Sequence, residues 1–386
     1  MKKALCTVLI LLQFAFVSCN GPPDSRIPTE SFDTALVSPT HHPLSENNQS
    51  AETIETVPYP NPQSVSAYET LTDDQKMAYD AIEDALYRAI NGSFPVGWRY
   101  RLERRISWYD FMLAYKIIAA NYTALEEILT NFFAQDSLGT QEYANEILFF
   151  DDGFVSDFCR VEYPKLCKAA DDILNSLTYD GTEPGKAFAI AKWLVDNVAY
   201  PSDYKQRSSD SWLISASGPI LKKEAVGDGY AKAYDFLCKK AGLQTIYVIS
   251  FKQMHAWNMI CIDNVWYHID TAWMQGSDSF RNFMMSDKEC YRFHEEAEYY
   301  SIPRTLEKII PEAPYYSSYG RFVFDTADDA FDYLFQNKLP DNSLLCFSSA
   351  DEKQNFLDYN HKYISTYDSY LSVGSLSDDI AVISYQ

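Results

Sequence analysis

Three short runs rich in branched and aromatic residues follow one another at 245–251, 256–262 and 265–271, and only Asp263 and Asn264 separate the last two. A two-residue connection ties an antiparallel pair as tightly as it can be tied, and Asp and Asn tolerate the left-handed backbone such a turn requires. The turn fixes a register. Ile262 faces Val265, Trp257 faces Asp270 and His255 faces Ala272. Alternation then puts His255 and Asp270 on one face as diagonal neighbours, about 7–8 Å apart at the backbone. From there a carboxylate can accept from an imidazole and fix its tautomer.

Ahead of the hairpin, residues 227–242 read Gly-Asp-Gly-Tyr-Ala-Lys-Ala-Tyr-Asp-Phe-Leu-Cys-Lys-Lys-Ala-Gly. Tyr230, Ala233, Tyr234, Leu237 and Cys238 recur as one helical face, Asp228 suits a capping role, and Gly242 suits a C-terminal stop. Lys239 and Lys240 sit where the helix dipole favours positive charge. Gly227 falls at the helix N-terminus, where free N–H groups would acidify a thiol and meet a developing anion. A helix followed by antiparallel strands makes the fold class α+β.

The chain has 386 residues, 47% of them hydrophobic and 29 of them Tyr, so it can bury a large core. Its formal charge of -22 excludes a nucleic-acid backbone as partner, because phosphates would be repelled. Lys2 and Lys3 precede an apolar stretch at 5–17 that is short for a bilayer span, followed by Val17, Ser18 and Cys19. This resembles a bacterial lipoprotein cleavage site, with Phe16 departing from the usual Leu or Val; an ordinary secretory signal cleaved nearby is the alternative. Both readings export the protein. Under the first, Cys19 carries the lipid (palmitate-type acylation) and anchors the chain to the membrane at the cell envelope.

Residues 20–69 are rich in Pro, Ser, Thr and Asn and read as a disordered tether. From 70 to 180 the pattern is mainly helical, with Thr72 as an N-cap and Asn121 as a boundary between two helices. A core unit spans 181–300, where Pro184 suits the first turn of a helix carrying Ile190, Leu194 and Val198. Residues 301–386 are acidic and Tyr-rich and read as a small α/β appendage, with a helix at 326–337 and strands at 343–347 and 380–384. Outside the signal and Cys19, six cysteines remain, spaced as no zinc site. Cys159 and Cys167 are close enough in sequence to suggest a disulfide. The reading calls for no cofactor and no metal.

The residues Val226-Gly227-Asp228-Gly229-Tyr230-Ala231, His255-Ala256-Trp257-Asn258 and Trp266-Tyr267-His268-Ile269-Asp270-Thr271-Ala272-Trp273 resemble the transglutaminase-like, papain-related family. Its members read Val-Cys-x-Gly-Tyr-Ala, then His-Ala-Trp-Asn, then a Trp-Tyr strand ending near Asp-x-Thr-Trp. The resemblance covers about residues 184–294. It implies a helix at the nucleophile position packed on an antiparallel sheet, with His255 as base and Asp270 as its orienting carboxylate. Tyr230, Trp257 and Asp228 would line the substrate groove. The nucleophile's place is held by Gly227, and a residue without a side chain cannot form an acyl-enzyme. Cys238 lies eleven places further on, about 16 Å along a helix. Cys261 lies six residues from His255, about 20 Å along a strand. Ser217-Gly218-Pro219 also departs from the Tyr-Gly-Ala stretch that many relatives show before the helix.

Three functions follow from the resemblance. The first is a membrane-anchored, inactive transglutaminase-like lipoprotein that binds a peptide, a protein or a peptidoglycan fragment. The second is a hydrolase in which His255 and Asp270 activate water or serve another nucleophile. The third is a purely structural envelope lipoprotein. Against any chemical role stands a plain alternative: His255 and Asp270 as a satisfied structural pair, Trp257, Trp266 and Trp273 as core or groove wall, and His294 as structural.

Overall fold

The computed structural model describes residues 36–39, 68–91, 99–129, 131–140, 142–149, 157–207, 210–250, 252–275, 282–291, 293–295, 321–337, 339, 343–367, 371–377 and 380–385. The stretch read as an export signal, Cys19 and most of the stretch read as a tether lie outside the described residues. Inside the stretch read as a tether, β1 (Leu36–Pro39) forms a strand. No helix among the described residues is long and apolar enough to cross a membrane.

α1 (Asp73–Ile90) begins with a capping box: Thr72 accepts from the Gln75 backbone, and the Gln75 side chain accepts from the Thr72 backbone. Tyr79, Ile82, Ala85 and Leu86 form its buried stripe. After β2 (Arg99–Tyr100) and β3 (Ile106–Ser107), α2 (Trp108–Asn121) starts at the Ser107 cap, ends at Asn121 and packs on α1. A short α3 (Glu126–Leu129) leads to β4 (Phe132–Gln135) and β5 (Glu142–Phe149). The first five strands form one sheet around β5, with β1 parallel to it and the others antiparallel.

The mainly helical reading of 70–180 therefore needs correction over 131–149. In β5 the run from Ala144 to Ile147 is buried without alternation, because both faces are covered, so the period-2 signal is lost. The suggested Cys159–Cys167 disulfide is also absent, and both residues are thiols. Cys159 lies in a π-helical turn that runs into α4 (Tyr163–Ser176), which holds Cys167. Eight residues of helical rise separate the two by about 12 Å, well beyond disulfide reach.

α5 (Glu183–Asn197) opens on the Thr182 cap with Pro184 in its first turn, as its sequence suggests. α6 (Gly227–Lys240) follows, and then β6 (Gln244–Ser250), β7 (His255–Ile262) and β8 (Val265–Ile269), an antiparallel sheet in chain order. The short α7 (Asp287–Cys290) closes this part with a Ser286–Glu289 capping box. α6 is not an amphipathic surface helix: every residue from Gly227 to Lys239 is buried, in a core shared with α1, α2, α4 and α5.

A separate apolar core holds the C-terminal part. β9 (Arg321–Phe324), α8 (Ala327–Gln336) and β10 (Ser343–Phe347) make a parallel pair joined by a crossover helix. α9 (Ala350–Tyr367), β11 (Leu371–Ser377) and β12 (Ile380–Tyr385) complete a sheet in the order β11-β12-β10-β9. The helix and both strands expected here are present. β9, α9 and β11 are additional.

Candidate functional site

The hairpin turn is built as its two residues require. Asp263 and Asn264 have φ of 51° and 64°, the left-handed pair of a tight turn. The ladder then pairs Ile262 with Val265, Cys261 with Trp266, Ile260 with Tyr267, Met259 with His268 and Asn258 with Ile269. This is the register expected from the sequence, and it delivers His255 and Asp270 to one place. His255 Nε2 and Asp270 Oδ2 are 2.6 Å apart. Both side chains are closed off, at 0% exposure.

Alternation divides β7 between two environments. Ala256 and Asn258 meet α6: Ala256 packs with Ala231, and Asn258 Nδ2 donates to the Ala231 carbonyl at 3.0 Å. Trp257 and Met259 pack with Val248, Met285 and Cys290. His255 shares the parity of this second set. Its ring stacks on Trp273, with centroids 4.6 Å apart and planes 14° apart, and lies 6.1 Å from Trp257. Trp273 is partly exposed, whereas Trp257 is buried.

Asp270 has a second histidine. His294 Nε2 lies 3.0 Å from the same Oδ2, and the Trp273 backbone N–H donates to Oδ1 at 3.0 Å. Burial pushes the Asp270 carboxyl up, but the neighbouring His255 and His294 rings outweigh it and hold the group well below its ordinary range. Burial pushes the His294 imidazole down, against the pull of Asp270. The reading of His294 as merely structural missed this contact. The sequence carried no signal for it, because His294 stands 24 positions beyond Asp270 and no hairpin turn ties the two together.

His268 is settled by its partners. Trp257 Nε1 donates to His268 Nδ1 at 3.0 Å, and an indole can only donate. The ring is therefore unprotonated at Nδ1 and donates from Nε2 to Asp287 Oδ1 at 3.1 Å.

Gly227 heads α6, behind Val226 as N-cap, and is buried. Gly229 explains how this end is covered. A Cβ there would sit 2.4 Å from the Leu213 carbonyl oxygen, so only glycine lets the turn at Ser211–Ile214 lie on the helix. Leu213 also accepts from the Val226 backbone at 3.0 Å.

Asp228, expected as a cap and a groove residue, does neither. Its carboxylate accepts from Tyr247 and from Lys232 Nζ, the latter at 2.9 Å, and it is 1% exposed. Tyr230, also expected along the groove, is 0% exposed; its hydroxyl donates to the Val198 carbonyl and accepts from Gln275. Trp257 is likewise inside the protein. Asp228 and Tyr230 are core because α6 is covered by Ser211–Ile214 on one side and by the sheet on another, and Trp257 is core because Met285 and Cys290 cover the other face of β7.

The remaining thiols lie elsewhere. Burial pushes the thiols of Cys238 and Cys290 well above their ordinary range. Cys261 sits at the far end of β7. Ser250 faces His255 across the ladder, and its hydroxyl accepts from the Gln253 backbone at 3.3 Å.

Residues 169–271 match the core model of the transglutaminase-like superfamily. Among solved structures the chain is similar to a TGase, at 10% identity and a TM-score of 0.26, over 40% of this chain and 47% of that one. It is also similar to a candidate cysteine protease from Cytophaga hutchinsonii, at 18% identity and a TM-score of 0.23, over 36% of this chain and 60% of that one. The chain thus spans about half the length of the first and 60% of the second. No curated protein matches it. Residues 169–271 of the chain are thus a transglutaminase-like domain of the α+β class.

Proposed function

We propose that this protein is a catalytically inactive member of its superfamily, exported and held at the membrane through a lipidated Cys19, that binds a peptide, a protein or a peptidoglycan fragment. The observation that carries the inactive reading is Gly227 at the head of α6, where the family places its cysteine. A backbone N-terminus can stabilise an anion but offers no lone pair for attack. Two further facts support it. The thiols of Cys238 and Cys290 are buried and held protonated. His255 and Asp270 are also sealed, so a scissile carbonyl has no path to the imidazole without local opening.

Burial also weighs against the hydrolase reading, since a general base must come within hydrogen-bond reach of its water. It redirects the binding reading as well. With Tyr230, Trp257 and Asp228 inside the core, a ligand would contact the surface over the closed site, where Trp273 and Gln275 are partly exposed.

The test is a pair of measurements on purified protein. Wild type and His255→Ala are expected to show the same absence of transamidation and peptide hydrolysis. Turnover by wild type that His255→Ala abolishes would overturn the inactive reading. In Gly227→Cys, iodoacetamide labelling of the new thiol at pH 7 is expected to be slow, because the position is buried. Rapid labelling would reveal an open cleft.

A further inference from the structure

We propose that His255, Asp270 and His294 together bind one divalent first-row metal ion, for which zinc is the probe. The three side chains come from the start of β7, the end of β8 and the segment after α7. Each offers a ligand atom, and those atoms lie within 4.8 Å of one another. All are buried, at 0%, 0% and 4% exposure.

The hydrogen-bond arithmetic points to a cation. His294 Nδ1 lies 3.1 Å from the Cys290 carbonyl, which can only accept, so the proton of a neutral ring belongs on Nδ1. Nε2 then directs its lone pair at Asp270 Oδ2, an anionic oxygen 3.0 Å away. His255 Nε2 approaches that same oxygen. Two ring nitrogens converge on one carboxylate oxygen, and the second needs a positive species between it and the oxygen. A metal ion meets that need for both rings at once. The carbonyl on His294 Nδ1 is also the kind of partner that orients a metal-binding imidazole, and the Trp273 N–H holds the other carboxylate oxygen in the same way.

The spacing fits. Tetrahedral zinc with bonds near 2.0–2.1 Å holds its donor atoms about 3.3 Å apart. The His–Asp distances of 2.6 and 3.0 Å need to open by less than ~1 Å to reach that. Two imidazoles on one such ion place their centroids about 5.2 Å apart. The centroids of His255 and His294 are 5.4 Å apart. Two imidazoles and one carboxylate suit zinc better than calcium or magnesium. Three protein ligands leave the fourth position of the tetrahedron to water, and the bound ion would lock the β7–β8 hairpin to the segment after α7.

The experiment uses the untagged full chain, freed of metal with a chelator in mild denaturant, refolded and dialysed against zinc. About one equivalent of zinc by mass spectrometry, with a rise in Tm over the metal-free chain, is expected. Cobalt substitution should give the visible bands of a nitrogen- and oxygen-ligated tetrahedral site, without the near-ultraviolet band of a thiolate. Cys261→Ser should retain the metal; His294→Ala should lose it. Substoichiometric zinc with an unchanged Tm overturns the proposal and makes the species between His294 and Asp270 a proton. A thiolate band, or full metal content in a folded His294→Ala, overturns this ligand set.

Discussion

The core holds two buried polar clusters, one in the helix and one in the hairpin, and they balance differently. In α6, Asp228 and Lys232 pair at 2.9 Å, and Lys232 also reaches Glu126 of α3. One heptad later Asp235 and Lys239 pair at 2.8 Å. Thr123, Thr245 and the Asn121 carbonyl take up the remaining valences of that second pair. Burial alone would lower the Lys232 pKa, but Asp228 and Glu126 outweigh it and raise it. Each cation there faces acceptors and each carboxylate faces donors. In the hairpin, two rings meet one carboxylate, and His294 meets two acceptors with one proton. The first cluster is closed and holds the fold. The second has an excess of acceptors, and such an excess in a sealed site signals a bound cation.

The comparison can be broken where it is strongest. Lys232→Met leaves the buried Asp228 and Glu126 carboxylates without their cation and is expected to cost about 3–5 kcal/mol by denaturant unfolding. A loss below ~1 kcal/mol, the range of exposed ion pairs, would show that the helix cluster is open to water. Thr245→Val keeps the shape but removes the donor to Asp235, at 2.8 Å, and should cost about 1.5–3 kcal/mol. At neutral pH the hairpin cluster should give the smallest effect. The folded Asp270 pKa lies below its ordinary value of 3.8, so its contribution is complete above that pH and is lost as pH falls toward the folded value. Freed of metal, wild type should therefore show no stability change from this group between neutrality and about pH 5. A stability loss near neutrality that Asp270→Asn removes would mean the carboxyl is not held low.

The hairpin was legible because two turn residues set every pairing in it, and the pairing set the His255–Asp270 contact. α6 was legible as a helix, but its surroundings were not. Asp228, Lys232, Asp235 and Lys239 recur at four- and three-residue steps, a pattern that usually marks a solvated helix face. Here the same pattern is buried, because α3, the turn at Ser211–Ile214 and β6 bring partners from distant parts of the chain. β5 was missed because its continuous buried run does not alternate, and β4 because it is only four residues long.

By itself the sequence determined the local geometry: the caps at Thr72, Ser107 and Thr182, the Asp263-Asn264 turn with its register, and the missing side chain at Gly227. Each depends on residues within a few positions of one another. Only the tertiary structure decided burial and the long-range partners. It sealed Tyr230, Trp257 and Asp228 inside the protein and brought His294 to Asp270. Those outcomes depend on which surfaces meet, and contacts between residues far apart in the chain leave no periodic trace in the sequence.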